Sequence, residues 1–237
     1  MARDSLVDSM VGDLLTRIVS GDLPPGARVP PEPALAEAYE VSRLTVREAV
    51  RQLVAIAVVR VERGRGTTVN PVAEWTSVDA VVRAASARGT SREVSIQVLE
   101  MRRMIEVGAA ELAGGRRTED DVDRCRAHLE EMRAAHQRAD VDAFVAADLA
   151  FHDVVLRSSG NLLVPALYDP VRRLLMDTRR ETSAVPDIQR HAIERHEQIL
   201  AALVAADPEG SRRAMAAHMV QTHDDLLTYV LDAPATG

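Results

Sequence analysis

The stretch "VSRLTVREAV", residues 41–50, decides how the first third of the chain folds. Val46, Ala49 and Val50, with Leu53 three residues on, recur at the period of one buried helix face. That period turns Arg43, Arg47 and Arg51 to the opposite side. Ser42 stands where a hydroxyl caps a helix by accepting from an early backbone N–H, and Val41 and Val46 flank it as a hydrophobic staple. The helix presents arginine outward. Its width fits the DNA major groove, where arginine donates two bonds to guanine O6 and N7, and Ser42 and Thr45 are placed for phosphate or base edges.

Upstream, residues 5–20 carry apolar side chains at Leu6, Met10, Val11, Leu14, Leu15 and Ile18, an amphipathic helix that "GDLPPGARVPPE" ends. "PALAEAY" then makes a short second helix. Downstream, "AVVRVERGRGTTVNP" predicts two β arms, Val58–Val61 and Thr67–Val69, joined by a turn containing Gly64 and Gly66. Three helices and a hairpin make residues 1–70 a winged helix-turn-helix. Arg63, Gly64, Arg65, Gly66 and Thr67 at the hairpin tip would then lie along neighbouring phosphates or the minor groove. Residues 71–76 read as a linker, with Trp75 packed on a domain face.

From Ser77 onward the periodicity is helical throughout, with helices expected at roughly 77–88, 91–114, 119–138, 141–158, 161–182, 187–205 and 208–231. Thr118 and Asp207 suit N-caps, Pro208 a first helical position and Gly160 a helix end. Pro165 and Pro170 should interrupt the fifth of these helices. The fold class is mostly α: a winged helix-turn-helix followed by an all-α bundle of six or seven helices over residues 77–232.

All 29 basic residues are arginine. Through Val72 nine of them meet nine Asp and Glu, so the net charge of -7 arises in the remainder, where twenty arginines meet twenty-seven acids. A uniformly basic nucleic-acid binder is excluded, but a local basic face is not. Cys125 is the single cysteine, which rules out an intrachain disulfide and reads as a buried bystander. No apolar run reaches the roughly 18 residues of a membrane span, and no cleavable leader is visible, so a cytoplasmic protein is expected.

Within the bundle, "AADLAFHDVV" sets Asp148 and His152 one turn apart on the stripe of Val141, Val145 and Val155. A carboxylate on an apolar stripe needs a cation, since burying it unpaired is costly. His196 lies among Ala192, Ile193, Ile199, Leu200 and Leu203, and His218 shares a face with Met215, Thr222 and Leu226. His223 has nearly as apolar a face as His218. His128, His136 and His191 read as surface residues. One Asp and three His offer the nitrogen and oxygen donors of a divalent metal, zinc first, with nickel or manganese as alternatives.

The head, "IVSGDLPPGARVPPEPALAEAYEVSRLTVREAVRQL" followed by "RGRGTTV", resembles the DNA-binding domain of the GntR family of bacterial regulators. It departs where Pro31, Glu32 and Pro33 replace the family's small cap followed by Glu-Arg, and where Glu40 and Ala57 replace glycines. "LEMRRMIEVGAAELA", "DLAFHDVVLRSSGN" and "RHEQILAALVAADPEGSRRAMAAHM" resemble the FCD effector domain of the FadR-like group. The resemblance implies that Asp148, His152, His196 and His218 hold the metal, with His223 outside the set. It also implies that Arg102, steadied by Glu106 one turn on, sits over the metal cavity as an effector anchor.

The expected function is transcriptional regulation. A homodimeric repressor would bind a double-stranded, inverted-repeat operator and release it when a small carboxylate meets the metal and Arg102. Two rival readings are a metal-dependent hydrolytic enzyme fused to a DNA-binding head and a purely structural metal site. The hydrolase needs a general base beside the metal; Glu106 is the only nominee, and its nearness to Arg102 makes it a poor one. The reading adopted is not an enzyme.

Overall fold

The computed structural model describes residues 5–88 and 91–231, and only the backbone of residues 88, 91, 170–175, 177–178, 181 and 231. The expected domain end at residue 232 lies outside the described residues. Two compact units result, the first ending at Val94 and the second starting at Ser95.

In the first unit α1 (Leu6–Ser20), α2 (Glu32–Ala38) and α3 (Arg43–Ala55) enclose a core that includes Leu14, Ile18, Val46 and Leu53. Ser42 caps α3 by accepting from Thr45 N at 3.1 Å, and Val41 packs on the same core. The wing pairs β1 (Val59–Glu62) antiparallel with β2 (Gly66–Val69), in the register Val59↔Val69 through Glu62↔Gly66. Its turn needs positive φ at Gly64 (78°) and at Gly66 (91°), which L side chains adopt rarely. At the corners where glycine is usual in the family, Glu40 and Ala57 still take left-handed backbone, φ 53° and 56°. The turns have kept their shape at a cost in strain.

The segment 71–76 holds a short 3-10 turn, Val72–Glu74, and Trp75, which is buried and donates from Nε1 to Asn70 O at 3.1 Å. Next comes α4 (Val78–Arg88), which packs on α1. Its Ala80 and Ala84 belong to the core of the first unit, although residues 77–88 read in sequence as the start of the bundle.

The second unit is built from α5 (Ser91–Arg116), from Ser95 onward, α6 (Glu119–Gln137), α7 (Val141–Ser158), α8 (Leu163–Ser183), α9 (Pro186–Val204) and α10 (Pro208–Asp225). A π-helical segment, Leu226–Leu231, follows. Thr118 and Asp121 form a reciprocal capping box, Asp207 caps α10, and Gly160 turns at φ 67° after α7. The expected break at Pro165 and Pro170 does not occur: α8 is continuous. Pro165 falls in the first turn, where its N–H would have no intrahelical acceptor, and Pro170 forfeits a single bond that the turns on either side outlast. Phe144, Phe151, Leu129, Met132, Ile199 and Met215 fill the core, and α6, α7, α9 and α10 pack around it.

Candidate functional site

The outward side of α3 carries Arg43, Leu44, Arg47 and Arg51, all exposed. Two of these arginines have acidic partners: Arg47 donates to Glu32 at 3.1 Å, and Arg51 lies 3.6 Å from Glu48. Glu32 raises the already high Arg47 pKa, so the guanidinium is charged and aimed. Glu32 belongs to the Pro-Glu-Pro stretch that departs from the family pattern, so the residue beside the missing arginine orients a remaining one. Ser42 Oγ also contacts Thr45 Oγ1 at 2.8 Å, which occupies the hydroxyls expected at phosphate. Arg63, Gly64 and Arg65 are exposed at the wing tip, and Arg65 is loosely held, 4.0 Å from Glu62. Leu44, 71% exposed, was not foreseen as part of this face; an apolar residue at an outward position among arginines was the available signal.

In the second unit Asp148 and His152 on α7, His196 on α9 and His218 on α10 converge. Ligating atoms of the three histidines lie within 4.8 Å of one another, and all three rings are buried. Ring centroids stand 5.0 Å apart for His152 and His196, 5.2 Å for His152 and His218, and 4.7 Å for His196 and His218. Asp148 Oδ1 is 3.2 Å from His196 Nε2 and 3.8 Å from His152 Nε2. His223, the open alternative to His218, lies outside the cluster, part-exposed and 3.5 Å from its neighbour Asp224. His191, read as a surface residue, is instead partly buried: Nδ1 lies 3.0 Å from the buried Asp225 carboxylate. His136 is half-buried against Gln189, because the α6–α9 contact covers it.

The donor set fits a cation. His196 Nδ1 is 2.6 Å from the Ala192 carbonyl, which can only accept, so the ring proton is on Nδ1 and the lone pair is on Nε2. That lone pair faces a carboxylate oxygen at 3.2 Å, acceptor against acceptor, and Nε2 has no hydrogen-bond partner. His152 Nε2 and His218 Nδ1 are likewise buried without hydrogen-bond partners. Burial and then the neighbouring His152 push the His196 pKa well down, and burial and His196 do the same to His218, so both rings are neutral and able to ligate.

Around this cluster sits a second set of charges. Arg102 Nε donates to Glu106 Oε1 at 2.7 Å, and both side chains are almost fully buried. Burial penalises the Arg102 charge, but Glu106 and Tyr168 more than offset it and raise the pKa. Burial also works against the Glu106 carboxylate, yet Arg102 and His152 hold it well below its usual range. Tyr168 Oη on α8 donates to the same Oε1 at 2.6 Å. Arg179, also on α8, touches Asp148 Oδ2. Burial and then the Arg102 charge push its guanidinium pKa down, while Glu106 acts the other way, and a guanidinium starts so high that it stays charged.

Tyr168 and Arg179 were not foreseen. They stand eleven residues apart, three helical turns, and so share a face of α8. A small cavity of about 50 Å3, open to solvent on one side, is lined by Arg102, Asp148, Arg179, His218, Thr222 and Asp225 among others. Arg102 Nη2 and Arg179 Nε and Nη2 are buried N–H groups without acceptors. Cys125 takes no part: burial pushes its thiol up to about 12.

A capped helix with outward arginines beside a basic wing makes the first unit a reader of DNA, and the chain is a transcriptional regulator. Residues 6–69 match the bacterial regulatory proteins of the gntR family and residues 97–221 match the FCD domain. The chain belongs to that family, in its FadR-like group. It is 35% identical to the HTH-type transcriptional regulator LutR of Bacillus subtilis over 218 residues, 90% of this chain and 97% of LutR. The galactonate operon transcriptional repressor of Escherichia coli is 32% identical over 161 residues, 68% of this chain and 69% of that protein. A putative L-lactate dehydrogenase operon regulatory protein of Escherichia coli is 27% identical over 223 residues, covering 92% and 85% of the two chains. Among solved structures, Lar of Listeria monocytogenes shares the fold, with a TM-score of 0.63 at 17% identity over 97% of this chain and 100% of Lar. The relatives are regulators, and the chain is not an enzyme. No helix among the described residues is long and apolar enough to cross a membrane.

Proposed function

We propose that the chain is a homodimeric, cytoplasmic repressor whose operator affinity is set by a small carboxylate bound beside a divalent metal in the helical unit. Residues 1–70 act as its DNA-binding part. Arg43, Arg47 and Arg51 of α3 enter the major groove, with Leu44 against a thymine methyl and Ser42 and Thr45 at the groove edge. Arg63, Arg65 and Thr67, with the backbone of Gly64 and Gly66, follow the adjacent phosphates.

Asp148, His152, His196 and His218 hold the metal. Zinc suits three imidazoles and a carboxylate, and nickel and manganese accept the same donors. When bound, the ion supplies a Lewis-acidic position for an acid's oxygens. Arg102 and Arg179 supply the rest, since their partnerless N–H groups form the donor array a carboxylate satisfies. Two relatives are named for a galactonate operon and an L-lactate dehydrogenase operon, and galactonate and L-lactate are both 2-hydroxy acids. An acid of that kind is the effector proposed.

The observation that carries this reading is the lone pair of His196 Nε2 facing Asp148 Oδ1 at 3.2 Å with no donor between them. Elemental analysis of the purified protein tests it: one divalent ion per chain is expected, lost in His196→Ala and kept in His223→Ala. Stoichiometric metal in a His196→Ala, His218→Ala double variant would place the site elsewhere. Mobility-shift titrations with 2-hydroxy acids test the effector. Release of the operator by neutral or cationic compounds alone would refute a carboxylate.

A further inference from the structure

Glu106 does more than balance Arg102. Its Oε1 accepts from Arg102 Nε at 2.7 Å and from Tyr168 Oη at 2.6 Å, so that oxygen is fully engaged. Its Oε2 lies 2.6 Å from His152 Nδ1, off the line of an ideal hydrogen bond, and neither atom has another partner. One buried carboxylate on α5 therefore gathers α7 and α8. It has no oxygen left for an effector, and it cannot serve as a free general base.

The geometry of the contact points to one tautomer. Arg102 Nε and Tyr168 Oη both donate to Oε1, which leaves Oε2 as an acceptor 2.6 Å from His152 Nδ1, and the ring meets an acceptor there with its proton on Nδ1. The lone pair is then on Nε2, the nitrogen that faces Asp148. His196 reaches the same tautomer by a different route, through the Ala192 carbonyl. Two of the three imidazoles are thus set by acceptors that ligate nothing.

We propose that Glu106 is a positioning residue: it fixes His152 with its proton on Nδ1 and its Nε2 lone pair toward the metal, and Arg102 and Tyr168 hold it in place. This rests on the metal reading above and adds a form of regulation to it. Because the same carboxylate holds Arg102, whose Nη2 is free for an acid, a pull on Arg102 is felt at His152. Metal and acid then change each other's affinity by the same factor.

The test uses the full-length chain and its Glu106→Gln variant, in which a single amide oxygen replaces two acceptors. Zinc affinity, measured by competition with a chromogenic chelator and no acid added, is expected to fall about 10–100-fold. Two-bond 1H–15N spectra of histidine-labelled, metal-stripped protein give an independent readout. The His152 signals should report an Nδ1 proton in the parent chain and change in Glu106→Gln, while those of His196 stay. If Glu106→Gln does not fold, Tyr168→Phe removes one hydroxyl from the same carboxylate and should weaken zinc several-fold. Parental zinc affinity with an unchanged His152 tautomer in Glu106→Gln overturns the proposal, as does parental affinity in Tyr168→Phe where the first variant is lost. A parent chain that takes up no metal refutes the metal reading, and the tautomer spectra still decide the role of Glu106.

Discussion

Removing Arg102 tests how the buried charges stand together. In Arg102→Met the stem is replaced and the guanidinium lost, so the Glu106 carboxylate, 1% exposed, keeps only Tyr168 and His152 as partners. Breaking a buried ion pair from one side costs about 3–5 kcal/mol, and the two remaining donors place this case near 3. Glu106→Leu strands the guanidinium and also orphans Tyr168 Oη and His152 Nδ1, so it costs about 5–6 kcal/mol. If the residues acted independently, the double variant would lose about 8 kcal/mol or more. Removing both charges avoids a stranded ion and leaves two orphaned neutral donors, Tyr168 Oη and His152 Nδ1, at about 1–1.5 kcal/mol each, so about 2–3 kcal/mol is expected. Urea denaturation followed by circular dichroism, on the four members of the cycle, reads the coupling directly. Additive losses would refute the argument that the pair is held as a unit. Operator binding without acid should survive in Arg102→Met, and the response to acid should not.

Glu40→Gly and Ala57→Gly relieve left-handed strain of about 1–2 kcal/mol, less about 0.4–1 for glycine's looser unfolded chain, so each should stabilise by about 0.5–1 kcal/mol in urea titrations. A loss of stability in both would show that the corners are not strained. Arg65→Ala should weaken binding to all DNA sequences alike and lower the salt slope by about one, and a changed base preference would contradict a phosphate role. His196 and His218 are held neutral by burial, their folded pKa values below the unfolded value. Below about pH 6.5 the unfolded chain therefore takes up protons that the folded chain refuses. Stability should fall by about 1.4 kcal/mol per pH unit for each histidine as acid is added, and a flat profile between pH 7 and 5 would speak against neutral rings.

Local features were legible in the sequence. The caps at Ser42, Thr118 and Asp207, the buried face of α3 and the Asp148–His152 pair all lie within four residues of their partners, where helical periodicity speaks directly. Arg102 and Glu106 were paired for the same reason. What escaped was the second oxygen of Glu106, whose partner lies 46 residues on, and the arrival of Tyr168 and Arg179 across the cavity. On α8 four arginines, at positions 172, 173, 179 and 180, look alike by type, and only tertiary packing separates Arg179 from the exposed Arg180. The bond from Arg47 to Glu32 was hidden similarly, fifteen residues apart across the corner between two helices.

The helix α4 bears on how portable the DNA reader is. The family signature ends near residue 69, yet Ala80 and Ala84 lie in the core beneath it and α4 covers part of α1. A graft of residues 1–70 onto a foreign sensor would transfer every arginine of the reading face while stripping apolar surface bare. A graft of residues 1–88 would carry its own covering helix. In the exchange of sensors between regulators, the piece that travels intact is longer than the piece a signature delimits.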